Sequence, residues 1–276
     1  MMKPLADFSL EARRAIHGVL CDIDDTLSTE GRITAEAYSA MQQLQQAGLL
    51  VIPVTGRPAG WCDHIARMWP VDGVVGENGA FYFRYDQAKH KMRRHFVQDA
   101  TTRAAHRERL AQIGAEIIKA VPGAAIAADQ QYRETDLAID FCEDVLPLSQ
   151  TAVDEIAARM EKHGLTAKVS SIHVNGWFGQ YDKLGMSKVL LREAFGVDLD
   201  AARAHYVFVG DSPNDAPMFG YFPHAVGVAN VADFGGRVEH LPAYITHARC
   251  GAGFAEAAAW LLAAMHPRHH LPLPIC

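Results

Sequence analysis

Residues 18–27 read Gly-Val-Leu-Cys-Asp-Ile-Asp-Asp-Thr-Leu, a short apolar run that ends in carboxylates. A continuous apolar run of this kind is typical of a parallel strand that is buried on both faces. Asp22 and Asp24 stand two residues apart, a spacing that points both side chains to the same side of an extended chain. The run therefore predicts a central strand whose carboxyl end opens onto a site with two carboxylates.

Strands and helices alternate on either side of this run. Residues 34–47 have helical spacing, with Thr34 as N-cap candidate and Gly48 as stop. The pattern continues with a strand over 49–54, a helix near 59–68, a helix over 187–195, a strand over 205–209 and a closing helix over 253–265. This order predicts an α/β fold with a doubly wound parallel-sheet core, in which ligands bind beyond the carboxyl ends of the strands.

Residues 85–181 have a different texture. The segments 137–141 and 168–174 alternate apolar and polar residues, as half-exposed antiparallel strands do, and helical stretches separate them. We expect an inserted α+β cap domain over 85–181, with residues 1–84 and 182–276 forming the catalytic core. The open face of the cap sheet would cover the site.

Composition narrows the class of protein. The chain of 276 residues is 49% hydrophobic and 21% charged, as in an ordinary soluble globular protein. A net charge of −6 without any long Lys/Arg block argues against nucleic acid as a partner, and no stretch is long and apolar enough for a signal peptide or a membrane span. Five scattered cysteines without a CxxC pair favour reduced thiols in a cytoplasmic protein.

Two acidic clusters and nearby phosphate-binding candidates predict the chemistry. Two carboxylates in a small volume repel unless a cation relieves them, and Mg²⁺ prefers carboxylate and phosphate oxygens. The segment 210–215, Gly-Asp-Ser-Pro-Asn-Asp, follows another predicted strand and would complete a metal site. Thr55 offers a hydroxyl, Gly56 allows close approach of backbone N–H groups, and Lys188 offers a positive charge.

Together these motifs resemble the four signature motifs of the haloacid dehalogenase superfamily. They are residues 22–27, residues 55–57, Lys188 and residues 210–215, in the family's order. The turn at residues 77–80, Glu-Asn-Gly-Ala, and the long insertion resemble the Cof-like, type IIB branch, which includes sugar phosphatases and phosphomannomutases. The resemblance covers the core at both ends of the chain.

The resemblance implies a role for each matched residue. Asp22 would be the nucleophile that forms an aspartyl-phosphate, and Asp24 the general acid/base. Thr55, Gly56, Lys188 and Asn214 would contact phosphate, and the metal would be held by Asp22, the main-chain carbonyl of Asp24, Asp211 and Asp215. The family usually has Gly after the lysine of the third motif, whereas Val189 follows Lys188 here, so Lys183 is a rival for that role.

Near the end of the insertion, His173, Asn175 and Trp177 are candidates for contact with the substrate. Trp177 could stack on a sugar ring, although a packed aromatic beside an ordinary turn fits equally well. Arg133 is a similar case, a cap residue able to contact substrate but also able to lie on plain surface.

These observations predict a Mg²⁺-dependent phosphomonoester hydrolase that acts on a small phosphorylated metabolite, such as a sugar phosphate. Two alternatives stay open from the sequence. A phosphomutase of the same branch would use the same two aspartates, and a binding or regulatory protein on this fold would not catalyse at all.

Overall fold

The computed structural model describes residues 2–265 and contains, within them, fifteen strands and nine α-helices. The strands are β1 (Lys3–Pro4), β2 (Gly18–Cys21), β3 (Ser28–Thr29), β4 (Arg32–Ile33), β5 (Leu50–Pro53), β6 (Val74–Gly76), β7 (Phe81–Asp86), β8 (Lys91–Phe96), β9 (Ala125–Ile126), β10 (Asp136–Asp140), β11 (Thr166–Val169), β12 (His173–Trp177), β13 (Tyr206–Gly210), β14 (Val226–Gly227) and β15 (Tyr244–Ile245). The helices are α1 (Leu10–Arg14), α2 (Ala35–Gln46), α3 (Ala59–Met68), α4 (Ala100–Ala120), α5 (Gln150–Lys162), α6 (Lys183–Phe195), α7 (Leu199–Ala202), α8 (Ala216–Tyr221) and α9 (Cys250–Leu262).

Six strands form a central parallel sheet in the order β1-β15-β14-β13-β2-β5. The strand β2 lies in its interior, with Cys21 opposite Val209 of β13 on one side and Pro53 of β5 on the other. A parallel bridge between Val54 and Val75 places β6 next to β5. The chain therefore winds outward from β2 in both directions, which confirms the predicted doubly wound core.

The apolar run of β2 is continuous because both faces of the sheet are covered. Val19 and Cys21 point to a cluster that includes Met41 of α2 and Phe254 of α9. Leu20 points to the opposite cluster, which receives residues of α6 and α8. Alternate residues thus serve opposite faces, and all four residues of β2 are buried.

The residues at its two ends determine where α2, the helix between β2 and β5, begins and stops. Thr34 accepts a hydrogen bond from the main-chain N–H of Ala37 at 3.3 Å, as an N-cap does. Gly48 follows the helix with a φ of 86°, a conformation that glycine adopts without strain. The helix α2 therefore confirms the prediction over residues 34–47 and returns the chain to β5.

The strands β7 and β8 form a hairpin that belongs to the core by its packing. Phe81 and Phe83 are members of the same cluster as β2, and Met92 and Phe96 pack against it. The predicted boundary between residues 84 and 85 falls inside this hairpin. Because an intact hairpin is one packing unit, we propose that the cap begins after Phe96.

The inserted segment folds as an α+β cap, as predicted. Its four strands pair antiparallel in the order β11-β12-β10-β9. One face of this sheet packs Leu137, Ile139 and Val174 against α4 and α5. The other face presents polar side chains, including Asn175, that are buried toward the core.

Two sequence expectations concern the environment of the chain. Across residues 2–265, no helix has the length and apolar character needed to cross a bilayer. Cys21, Cys62, Cys142 and Cys250 are free thiols, while the fifth cysteine, Cys276, lies outside the described residues.

Candidate active site

Three buried carboxylates meet at the carboxyl ends of the two central strands. Asp22 follows β2, Asp211 follows β13, and Asp215 lies in the 3₁₀ turn just after it. One oxygen from each lies within 4.8 Å of the others. The N–H of Asp22 donates to the carbonyl of Val209 at 2.9 Å, which keeps the two strand ends together. The structure thus brings together the three side chains that were predicted to bind the metal.

Neighbouring polar groups hold Asp211 in this cluster. Its carboxylate accepts from the Thr26 hydroxyl at 3.1 Å and from the Asn230 amide at 3.3 Å. The same amide donates to the carbonyl of Asp25 at 3.0 Å, so Asn230 joins the two acidic loops. Sequence reasoning missed Asn230, whose only signal was its place shortly after β14, at the same edge of the sheet.

Lys183, and not Lys188, supplies the positive charge of the site, which corrects the sequence prediction. The Nζ of Lys183 lies 3.1 Å from Asp22 Oδ1 and 2.8 Å from Asp215 Oδ1. Lys188 lies elsewhere: its Nζ pairs with Asp200 at 2.7 Å and lies over the ring of Tyr221.

The start of α6 explains the error. We expected a helix from residue 187, but α6 begins at Lys183 because Asp182 caps it, accepting from the N–H of Gly185 at 2.6 Å. Lys188 comes five residues later, about 140° around the helix axis, and so points away from Asp22.

The glycine of the Glu-Asn-Gly-Ala turn lets α6 approach. Gly79 has a φ of 106°, and a Cβ at this position would lie 2.0 Å from the carbonyl oxygen of Asp182. Any larger residue would displace the start of α6 and, with it, Lys183. The turn thereby contributes to the site through packing.

Burial dominates the electrostatics of the cluster. Desolvation raises the pKa of Asp22 to about 8; Lys183 lowers this value while Asp215 and Asp24 raise it. Desolvation raises the pKa of Asp211 as well, and the nearby carboxylates of Asp215, Asp22 and Asp25 add to this rise. Burial opposes the charge of Lys183, but Asp215 and Asp22 outweigh it and raise its pKa. The protein therefore holds a charged lysine against carboxylates that repel one another.

The side chain of Asp24 lies outside the cluster of Asp22, Asp211 and Asp215 and is held by Arg57. The Nε of Arg57 donates to both carboxylate oxygens of Asp24, at 2.9 and 3.1 Å. Arg57 is 3% exposed and stacks over the ring of Trp61 at 4.5 Å. The Asp24 side chain therefore does not join the other three aspartates as a ligand. Arg57 was not among the predicted site residues, although it belongs to the second motif.

Arg57 also contacts the cap. Its guanidinium lies 2.7 Å from Glu143 and 3.4 Å from Asp129. Glu143 in turn lies 2.9 Å from the Nε2 of His173. Burial opposes the charge of Glu143, but His173 and Arg57 lower its pKa to about 2. A chain of charges thus runs from Asp24 through Arg57 into the cap.

A cavity of about 10 Å³ lies between Asp22 and the cap. Its lining includes five of the predicted residues: Asp24, Gly56, Asn214, His173 and Asn175. Thr55 is fully buried and accepts from the N–H of Arg57 at 3.0 Å, so it holds the second motif in shape. A space of this size holds about one water molecule. The cap is therefore closed, and a substrate needs it to move.

Among the residues predicted to contact the substrate, Trp177 does not line the cavity beside Asp22. It stacks on Tyr181 with ring centroids 5.6 Å apart and lines a separate cavity of about 550 Å³. The side-chain amide of Asn175 donates to Asp136, another residue of the cap, at 3.0 Å.

Two further residues fasten the cap to the core. Glu77 accepts from the N–H groups of Ala59, in the core, and of Glu134 and Thr135, in the cap, at 2.6–2.9 Å. Arg133, which pairs with Asp129 and Asp136, donates to the carbonyl of Gly56 at 2.9 Å. The side chain of Arg133 is fully buried, which excludes the surface position that the sequence left open.

The donor set fits Mg²⁺. Asp22, Asp211 and Asp215 provide hard oxygen ligands in a small volume, and Lys183 supplies one positive charge against three carboxylates. A divalent cation would offset the remaining repulsion. Asp215 already accepts from Lys183 and from the N–H of Asp211, so it supports the cluster as well.

Comparison with known proteins agrees with this geometry. A family model described as haloacid dehalogenase-like hydrolase matches residues 19–117. A phosphoglycolate phosphatase from Methanoculleus marisnigri is 26% identical over 247 residues, which cover 87% of this chain and 94% of that protein. The family resemblance indicated by the motifs is thereby confirmed.

Solved structures share the fold over most of the chain. A Thermoplasma acidophilum protein aligns with a TM-score of 0.67 at 18% identity, covering 90% of this chain and 99% of its own. The sucrose-phosphatase of a Synechocystis species, solved with sucrose and phosphate, aligns with a TM-score of 0.58 at 16% identity, covering 89% and 98%. At such identities the alignments show a common fold.

Proposed function

We propose that this chain, a member of the haloacid dehalogenase-like hydrolases, is a Mg²⁺-dependent phosphatase that hydrolyses small phosphorylated metabolites through an aspartyl-phosphate on Asp22. The free thiols support a cytoplasmic location. The phosphoglycolate phosphatase and the sucrose-phosphatase suggest two kinds of phosphomonoester, and we propose a sugar phosphate as the substrate.

One observation carries the proposal. Asp22 is a buried carboxylate with Lys183 on one oxygen, and a second acid, Asp24, stands two residues away under the control of Arg57. A nucleophile and a separate proton carrier on opposite sides of one small cavity are what phosphoryl transfer through a covalent intermediate needs.

In the first step, a carboxylate oxygen of Asp22 attacks phosphorus and the bond from phosphorus to the leaving oxygen breaks. Asp24 gives its proton to that oxygen, and the alcohol departs.

In the second step, Asp24 takes a proton from water as the water oxygen attacks phosphorus. The bond between phosphorus and the Asp22 oxygen breaks, which releases inorganic phosphate and restores both aspartates. Asn214 and the backbone around Gly56 line the cavity and would bind the phosphoryl oxygens. Closure of the cap excludes bulk water.

Mg²⁺ would be held by Asp22, Asp211, Asp215 and the main-chain carbonyl of Asp24. It would supply charge neutralisation between the incoming phosphate and these carboxylates. Lys183 contributes in the same sense, because its charge lowers the pKa of the buried Asp22 carboxyl against the desolvation that raises it.

The test measures phosphate release from a panel of phosphorylated metabolites, with and without Mg²⁺, for wild type and Asp22→Asn. Asp72→Asn is a matched control, since this half-buried carboxylate accepts from Val51 at 2.9 Å outside the site. We expect turnover that requires Mg²⁺, that Asp22→Asn abolishes and that Asp72→Asn retains. Full turnover by Asp22→Asn would refute the assigned nucleophile, and isomerised sugar phosphate without free phosphate would favour a phosphomutase.

A further inference from the structure

A pocket of about 560 Å³ borders Asp24, and none of its lining residues belongs to the strands of the cap sheet. Its size falls in the range of small-molecule sites. Its walls come from the β3–β4 hairpin, from α3 and from one cap residue, and they include Ser28, Ile33, Trp61, His64, Trp69 and Tyr132.

Asp24 and Arg57 separate this pocket from the 10 Å³ cavity beside Asp22, because both side chains line both spaces. The Asp24 side chain keeps 18% of its surface exposed. A phosphoryl group on the Asp22 side would therefore have its leaving oxygen near Asp24, with the pocket beyond it. The cavity that contains Trp177 borders Lys183 and Asn214 but not Asp24, so it offers no such route.

We propose that this pocket is the leaving-group subsite, and that Trp61 and Tyr132 select ring-shaped leaving groups such as a sugar. The inference rests on the proposed phosphatase function and assigns its substrate preference to a surface outside the cap sheet.

The aromatic walls are the first support for a ring. Trp61 is 41% exposed and Tyr132 50% exposed, and both line the pocket rather than filling a core. Exposed aromatic faces bind the apolar face of a sugar ring, while Ser28 and His64 can contact its hydroxyl groups.

A glycine lets the two domains build this wall together. A Cβ at Gly60 would lie 2.9 Å from the Cβ of Tyr132, so only glycine admits such close packing of the cap on α3. The pocket is therefore completed when Tyr132 is in place, which is in the closed state.

Charge argues against a short acidic leaving group such as glycolate. Among the residues that line the described pocket, Arg57 is the one arginine or lysine. Arg57 is already paired with Asp24, Glu143 and Asp129. A carboxylate in the pocket would thus face Asp24 without a free arginine or lysine.

The experiment compares kcat/KM for a series of hexose 6-phosphates and for 2-phosphoglycolate in wild type, Trp61→Ala and Tyr132→Ala. Met68→Ala is the control, since Met68 is an exposed residue of the same helix outside the pocket. We expect wild type to prefer a hexose phosphate, and each aromatic variant to lower that preference about 10-fold, mainly through KM. Met68→Ala should leave the preference unchanged.

Trp61 also stacks on Arg57, which holds Asp24. Trp61→Ala could therefore disturb Asp24 indirectly, and this effect must be distinguished from a loss of contact with the leaving group. Such an effect would lower kcat for both substrate types in Trp61→Ala and spare Tyr132→Ala, and that result would overturn the proposal. Equal preference in all variants, or hydrolysis of phosphoglycolate alone, would overturn it while leaving the phosphatase function intact.

Binding gives a readout that does not need turnover. Calorimetric titration of hexose 6-phosphates should show about 10-fold weaker affinity in Trp61→Ala than in wild type. If wild type binds without hydrolysing, the proposed function fails and the subsite stands. Unchanged affinity in both aromatic variants, or no binding at all, refutes the subsite.

Discussion

Replacing Lys183 by methionine tests the central charge arrangement, and Lys188→Met on the same helix is its matched control. Methionine keeps most of the length of lysine and removes the charge. In Lys183→Met, the buried carboxylates of Asp22 and Asp215 lose the ammonium group that lies 3.1 and 2.8 Å from them. In Lys188→Met, the loss is one partly exposed pair with Asp200.

The two changes differ in their expected cost. Breaking a buried ion pair from one side costs about 3–5 kcal/mol, because the remaining charge stays buried without a partner. For a chain of this size, that lowers the midpoint of thermal unfolding by roughly 6–20 °C. A surface pair such as Lys188 with Asp200 contributes little, because solvent screens its charges and pairing costs side-chain entropy. Loss of one charge-stabilising group in the site should also lower kcat by about 10²–10³-fold.

Thermal unfolding is measured by circular dichroism without divalent cations, because a bound cation would also neutralise the carboxylates. Turnover is measured with Mg²⁺ well below the unfolding midpoint of each variant. We expect Lys183→Met to lose both stability and activity, and Lys188→Met to retain both. If Lys188→Met lost activity while Lys183→Met kept it, the placement of the third motif at Lys183 would be refuted.

Three more outcomes follow from the site. Asp24→Asn should lower kcat/KM, which reports the first step, by about 10²–10⁴-fold for alkyl phosphates and much less for p-nitrophenyl phosphate, whose leaving oxygen needs no proton; an equal loss of kcat/KM on both would contradict the acid role. Since the pKa of Glu143 is lowered to about 2 from its ordinary 4.5, its contribution to stability, about 1–3 kcal/mol, is complete above pH 4.5 and disappears as the pH falls toward 2. Between pH 6 and pH 3, the free energy of unfolding should therefore fall more for wild type than for Glu143→Gln, as measured by unfolding at each pH. Mg²⁺ at 100 times its Kd should raise the free energy of unfolding of wild type by about 2.7 kcal/mol, seen as a higher unfolding midpoint, and Asp211→Asn should abolish most of that gain.

The sequence was sufficient for the parts of the site that depend on local pattern. An apolar run ending in Asp22 and Asp24 defines a buried strand and its open end without knowledge of any distant contact. The same holds for Asp211 after β13, because parallel strands bring their carboxyl ends to one edge of the sheet. Regular secondary structure is therefore sufficient to place these aspartates at one edge of the sheet.

The residues that the sequence did not reveal depend on contacts between distant segments. The choice between Lys183 and Lys188 turned on where α6 begins, which Asp182 and the close approach at Gly79 determine. The contact between Glu77 and the cap could be predicted only if one knew that residues 134–135 lie against the turn that contains Glu77. Neither feature has a periodic signal.

Arg57 links closure of the cap to the position of Asp24, the proposed proton carrier. One guanidinium contacts Asp24 in the core and Glu143 in the cap, and its side chain is buried in the closed state. When the cap moves away, Arg57 loses its cap partners and gains water, which weakens its hold on Asp24. Proton transfer is therefore best aligned in the closed state, when water is excluded from the cavity. Closure and alignment share one side chain, so proton transfer by Asp24 is favoured when a substrate is enclosed and bulk water is excluded.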